Sequence, residues 1–199
     1  MRDFDVADAP LDEQVVALEG ALATNPVVSA VLQRVPQLGL ADWYLGAGGV
    51  TGTVWNVLHG FDPTHGIKDY DLVYFDPQDL TADAEAANDR RVREILADVR
   101  VELDVTNEAR VHLWYPTRFG PTIPPYRSTE HAISTWPTTA SSIGVRVRGD
   151  SLVVCAPFGL RDLFAMVVRP NKAIVNERVY NDKASRWADH WPRLRVLPW

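Results

Sequence analysis

The ten residues "IKDYDLVYFD" (67 to 76) constrain this chain more than any other stretch. Strands favour Val, Tyr, Phe and Leu and disfavour Asp, yet Asp69 and Asp71 stand at the head of this apolar run. Residues i and i+2 of a strand project to the same face, so the two carboxylates point together and Tyr70 points away. Like charges held that close repel unless a cation lies between them. The plainer reading is a frayed, solvated strand start, where charge costs little. A second acidic segment shifts the balance. In "RVELDVT" (100 to 106), Glu102 and Asp104 share one face, and Val101, Leu103 and Val105 share the other. Laid beside "YDLVYFD", this strand brings a third carboxylate to the first two. Three clustered carboxylates make a hard-oxygen site suited to Mg²⁺ or Mn²⁺. The alternative for Asp104 is a salt bridge with Arg100 or Arg110.

Upstream, "YLGAGGVTGTVWN" reads as strand, tight glycine turn and helix. Gly48 and Gly49 let backbone approach a ligand closely, and a helix N-terminus favours anions. Two helices precede this unit. The first is "PLDEQVVALEGALATN", with Leu11, Val15, Leu18 and Leu22 at helical spacing. The second is capped by Asn25, with Pro26 at its first position and Pro36 just past its end. Downstream come a polar helix capped at Asp79 or Thr81 and running to about Val99, then the acidic strand. "NEARVHLWY" is ambiguous between helix and extended chain. A short helix from Ser128 to about Trp136 and a hairpin turning at Gly149-Asp150 follow. "FGLRDLFAMVVRPN" and "NERVYNDKASRWADHW" read as helices. The order predicts an α+β fold, a mixed β-sheet flanked by helices. We expect a single domain over 1–199, with a core at about 40–157 and a helical C-terminal part at about 158–199.

Composition narrows the function classes. The net charge is −6, and no basic run exceeds "DRRVR", which argues against binding long nucleic acid. No apolar run is long enough to span a bilayer, and "MRDFDVADAP" is too acidic for a signal peptide. The single cysteine, Cys155, allows neither an internal disulfide nor a cysteine zinc cluster. Together these features predict a cytoplasmic protein with no membrane partner.

The ordered set of glycine turn, D-x-D and third carboxylate resembles the nucleotidyltransferase superfamily typified by DNA polymerase β. Beyond that set, "WNVLHG", "IKDYDLVYFD", "NEARVHLWY", "APFGLRDLF", "RPN" and "VYNDKASRWADHWPRL" resemble a bacterial nucleotidyltransferase family long treated as a domain of unknown function. The resemblance covers roughly residues 40 to 199. It implies the polymerase β-like fold and metal-dependent transfer of a nucleoside monophosphate from a nucleoside triphosphate to an acceptor hydroxyl. It further implies that Asp69, Asp71 and Asp104 bind Mg²⁺ or Mn²⁺, with Asp104 also acting on the acceptor hydroxyl. The chain departs from the superfamily pattern in two ways. Gly48-Gly49 stands where Gly-Ser is common, so Thr51, Thr53 or backbone N–H groups alone would have to meet phosphate. Asp69 also lies twenty residues beyond Gly49, a longer gap than usual, absorbed by "HGFDPTHGIK".

Lys183 falls on one helical face with Tyr180, Ala184 and Trp187, where it either snorkels to water or reaches the triphosphate. Arg110 and His112 share a face if their segment stays extended, which would bring them to phosphate, base or acceptor, with Arg110 expected to bind the nucleotide. Two rival readings remain: a non-catalytic nucleotide sensor, and a dinucleotide-binding domain in which Gly46 and Gly48 open a G-x-G-x-x-G motif. The second fails at Thr51, where the third glycine belongs.

Overall fold

The computed structural model describes residues 6–199. Helix α1 (Leu11–Ala23) buries Leu18 and Leu22 but leaves Leu11 62% exposed, so its apolar face is narrower than the sequence spacing suggests. Asn25 caps α2 (Pro26–Arg34) by accepting from the Val27 and Val28 N–H groups. Its amide also donates to Thr53 Oγ1 at 2.8 Å and to the Tyr70 hydroxyl at 3.1 Å, tying three segments together. Pro36 sits inside a 3-10 turn, Val35–Leu38, that continues directly from α2.

Strand β1 (Tyr44–Gly46) enters α3 (Ala47–His59), which Gly60 closes in the left-handed region at φ 71°. Strand β2 (Tyr70–Tyr74) follows, then α4 (Ala82–Ile95), capped by the Thr81 hydroxyl. Helix α4 ends four residues before the expected Val99, and β3 (Leu103–Asn107) begins three residues after Arg100. Glu102 therefore precedes the strand, where its carbonyl accepts from the Tyr70 N–H at 3.0 Å. Asn107 caps the next turn, and "NEARVHLWY" resolves to a 3-10 turn followed by α5 (Val111–Phe119). Arg110 and His112 thus do not share an extended face. Ser128 caps α6 (Thr129–Ile133), and Gly149-Asp150 turns the hairpin of β4 (Gly144–Arg148) and β5 (Ser151–Cys155).

The expected helix over "FGLRDLFAMVVRPN" is a second correction. Only α7 (Arg161–Phe164) is helical. Met166 turns the chain at φ 52°, and β6 (Val167–Val168) pairs in parallel with β7 (Arg195–Val196) beyond α8 (Glu177–His190). The β-branched pair and the proline after it favour extended chain over helix.

The main sheet runs β3-β2-β1-β4-β5. Strands β2 and β3 are parallel, and the other neighbours are antiparallel. A helix joining two antiparallel neighbours, β1 and β2, is not the βαβ unit of a dinucleotide-binding domain, and that alternative falls. Alternation sorts the two faces. Tyr70, Leu72 and Tyr74 join Leu45, Leu103 and Val105 in the main core, which α1 to α4 cover. Tyr44 and Val73 lie on the other face with Ile133. Asp71 and Asp104 alternate with the core residues and so share that second face. Trp55 of α3 meets Trp187 and Trp191 edge-on at 5.1 and 5.3 Å, docking α8 against α3. No single described helix is long and apolar enough to cross a membrane.

Candidate active site

Sheet register brings the acids together. Asp71 is the partner of Asp104 on the parallel neighbour and of Gly46 on the antiparallel one. Adjacent strands lie about 4.8 Å apart, so carboxylates on one face at matched positions crowd each other. Asp69 lies one residue before β2, 3.3 Å from Lys68 Nζ. Asp104 accepts from the Thr106 hydroxyl at 3.3 Å. All three acids line one hollow of about 330 Å³, together with Gly48 at the start of α3 and the cations Lys68, Arg118, Lys183 and Arg186. We call this hollow the cleft.

Desolvation dominates the electrostatics at the base of the cleft. Burial pushes the Asp71 carboxyl up to about 7; Lys183 and the Gly48 N–H oppose the rise, and Asp69 and Asp104 add to it. Burial lowers the Lys183 ammonium, against the pull of Asp71 and Asp69. Its Nζ stands 4.8 Å from the centre of the Trp187 ring. Both residues keep some surface facing the cleft, yet each sits low enough in it for desolvation to dominate.

A second hollow of about 210 Å³ opens from the same carboxylates and shares Asp71, Asp104, Phe119 and Lys183 with the cleft. Its walls carry Trp114, Tyr115, Tyr126 and Trp136, and Glu108 lines it. Glu108 is 5% exposed. Burial, then Asp71, Asp104 and Glu85, push its carboxyl up to about 8, while a hydrogen bond from Trp136 opposes them. Larger hollows of about 680 and 520 Å³ lie elsewhere, but neither is lined by Asp69, Asp71 or Asp104. Convergence of charged groups, not size, marks the site.

The donor chemistry fits a hard divalent cation, because three carboxylates face one cleft and two of them, Asp69 and Asp104, add to the rise of the Asp71 carboxyl. Among the described residues, no three His, Cys, Asp or Glu side chains are gathered tightly enough to form a ready cage. Asp69 leans toward Lys68, and a cation would have to draw it inward.

The other residues expected from sequence divide sharply. Gly48 lines the cleft, but Gly49 lies beneath it, against the Tyr70 ring. Thr51 is buried, and its hydroxyl donates to the Ala140 carbonyl at 3.2 Å; Thr53 donates to the Gly49 carbonyl at 2.7 Å. Neither replaces the missing serine, which corrects the expectation for Thr51. Arg110 is corrected too. Its guanidinium pairs with Glu85 and donates from Nε to the Leu80 carbonyl, and it lines neither the cleft nor the aromatic hollow. Asn107 braces the turn after β2, accepting from the Asp76 N–H and donating to the Asp76 carbonyl. His112 Nδ1 is buried without a hydrogen-bond partner. Asp162 holds Arg169 at 2.8 Å and Thr139 at 2.7 Å, away from the cleft. Burial pushes the Cys155 thiol up to about 11, leaving it unreactive at neutral pH.

Sequence reasoning missed Lys68, Arg118 and Arg186 in the cleft, and Glu108 with the aromatic walls beside it. Glu108 carried one signal: it lies four residues beyond Asp104, in a segment whose helical option would turn it back toward the sheet.

Two comparisons with known proteins return matches over most of the chain. A family described as nucleotidyltransferase matches residues 33–196. A solved structure described as "The NMR structure of the protein reveals a CCA-adding enzyme head domain" is 25% identical, with a TM-score of 0.75. The match covers 98% of this chain and 100% of that one. A search of curated proteins returns no match.

Proposed function

The chain belongs to the nucleotidyltransferase family, and on that premise we propose that it transfers a nucleoside monophosphate from a nucleoside triphosphate to an acceptor hydroxyl, releasing pyrophosphate. The observation that carries this reading is the register of Asp71 opposite Asp104, on the face where Asp69, Gly48 and Lys183 line the same cleft. Asp69, Asp71 and Asp104 would hold Mg²⁺ or Mn²⁺, which when bound neutralises developing charge on the transferring phosphoryl group. Lys183, Lys68 and Arg186 neutralise the β- and γ-phosphates and hold them in the cleft. Gly48 has no heavy atom within 4 Å of where a Cβ would stand, so phosphate oxygens can approach that backbone. Asp104 takes the proton of the acceptor hydroxyl. The acceptor oxygen bonds to the α-phosphorus as the bond to the bridging oxygen of the β-phosphate breaks. The setting is proposed as cytoplasmic, from the single cysteine and acidic charge.

The test is pyrophosphate release from each labelled nucleoside triphosphate, with Mg²⁺ or Mn²⁺ and a cell extract supplying acceptors. Wild-type protein should release pyrophosphate and label an acceptor, and Asp69→Asn and Asp104→Asn should abolish both. Equal label transfer by Asp104→Asn would overturn the assignment.

A further inference from the structure

If the reading above holds, the two hollows have separate occupants. In-line displacement puts the attacking oxygen and the leaving pyrophosphate on opposite sides of the α-phosphorus. The cleft has four cations, Lys68, Arg118, Lys183 and Arg186, and is the place for a polyphosphate. The aromatic hollow shares the Asp71–Asp104 pair with the cleft and is lined by only one cation, Lys183. A hydroxyl seated in that hollow is still beside Asp104, and of the cleft's cations only Lys183 lines it.

Its chemistry selects against a polyanion. Trp114, Tyr115, Phe119, Tyr126 and Trp136 wall it, and Asp71, Asp104 and Glu108 line it. Glu108 is nine-tenths buried and, among the described residues, forms no ion pair. Its hydrogen-bond partner is the neutral Trp136, and the charged groups facing it are other carboxylates. The Arg118 guanidinium already stands over Trp114 and Phe119, at 5.9 and 5.4 Å from their centres, so these ring faces take a cation at the rim. At about 210 Å³ the hollow lies below the roughly 300 Å³ at which drug-sized sites begin.

We propose that the aromatic hollow is the acceptor site, and that it takes a compact alcohol bearing a protonated or quaternary amine, seated on the ring faces and countered by Glu108. The hydroxyl of such a molecule reaches Asp104 while its ammonium is held by cation–π contact. The 3′ end of an RNA, with its phosphates, would find only Lys183 as a cation in this hollow.

Choline serves as the cationic probe, and its neutral isostere, with carbon in place of the quaternary nitrogen, as the control. Tripolyphosphate with Mg²⁺ reports on the cleft. Binding is read by tryptophan fluorescence on the full chain, with Trp114→Phe confirming where the signal arises. Choline should bind about tenfold more tightly than the isostere. Glu108→Gln should lose most of that preference and keep tripolyphosphate binding. Trp114→Ala, which leaves Glu108 in place, should lose it as well and guards against misfolding of a single variant. Failure of choline to bind, or equal binding of the isostere, overturns the proposal. So does displacement of choline by adenosine, which would give the hollow to the nucleobase, or by an RNA oligonucleotide. Failure of tripolyphosphate to bind would instead strike at the nucleotidyltransferase reading.

Discussion

Asp71 is held in a state that suits ligand binding better than stability. Its carboxyl ionises near 7 when folded and near 3.8 when unfolded. Between those values the folded protein keeps a proton that the unfolded chain releases, so stability falls as pH rises through that window. Glu108 acts in the same direction, its carboxyl rising to about 8. The metal-free Asp71→Asn protein should therefore be more stable than wild type at about pH 8, by roughly 1 kcal/mol once the partial exposure of the residue and the loss of a partner for Lys183 are allowed for. The gap should narrow as pH falls below about 7 and close below about 3.8, where Asp71 is protonated in both the folded and the unfolded chain. Thermal unfolding of the two proteins across pH checks this, and an unchanged gap would show that burial of charge is not the cost. The glycine turn gives a second residue-scale contrast. A Cβ on Gly49 would stand 2.7 Å from Tyr70 Cδ1, whereas one on Gly48 would meet nothing within 4 Å. Gly49→Ala should lose about 1–3 kcal/mol in a denaturant titration. Gly48→Ala should melt like wild type but bind tripolyphosphate more weakly.

Among the elements, α8 matters most for the site, because it carries Lys183 and Arg186 into the cleft. Trp191, just past its end, donates from Nε1 to Asn56 Oδ1 at 2.7 Å inside α3. Trp191→Phe keeps the ring stack but leaves a buried carbonyl unmet, at a cost of about 1–2 kcal/mol. Denaturant unfolding should show that loss, with a parallel weakening of tripolyphosphate binding as α8 loosens. The capped helices and the alternating strands were legible in the sequence because each carries its signal locally: Asn25 and Pro26 for α2, Thr81 for α4, Gly60 for the end of α3. The β6–β7 pair was not, because two-residue strands have no periodicity and Val167 finds Arg195 across an intervening helix. Arg110 was misread for a related reason. Its partner, Glu85, lies on another element, and no spacing within "NEARVHLWY" announces it.

At the scale of the molecule, charge is distributed against its own average. The chain is acidic by six charges, yet four cations gather at the cleft. Lys183 and Arg186 of α8 and Arg118 of α5 reach it only through the tertiary fold, which brings both helices beside Asp71 and Asp104. That convergence is tertiary, so sequence pattern conveyed the carboxylates and Lys183 but neither the remaining cations nor the aromatic hollow. The central claim, that Asp69, Asp71 and Asp104 hold a divalent cation with a nucleoside triphosphate, is tested most directly by Mn²⁺ binding followed by electron paramagnetic resonance, with and without a non-hydrolysable triphosphate. The account predicts tight Mn²⁺ binding by wild type that strengthens with the analogue and is lost in Asp71→Asn. Equal Mn²⁺ binding by wild type and Asp71→Asn, unaffected by the analogue, would contradict it.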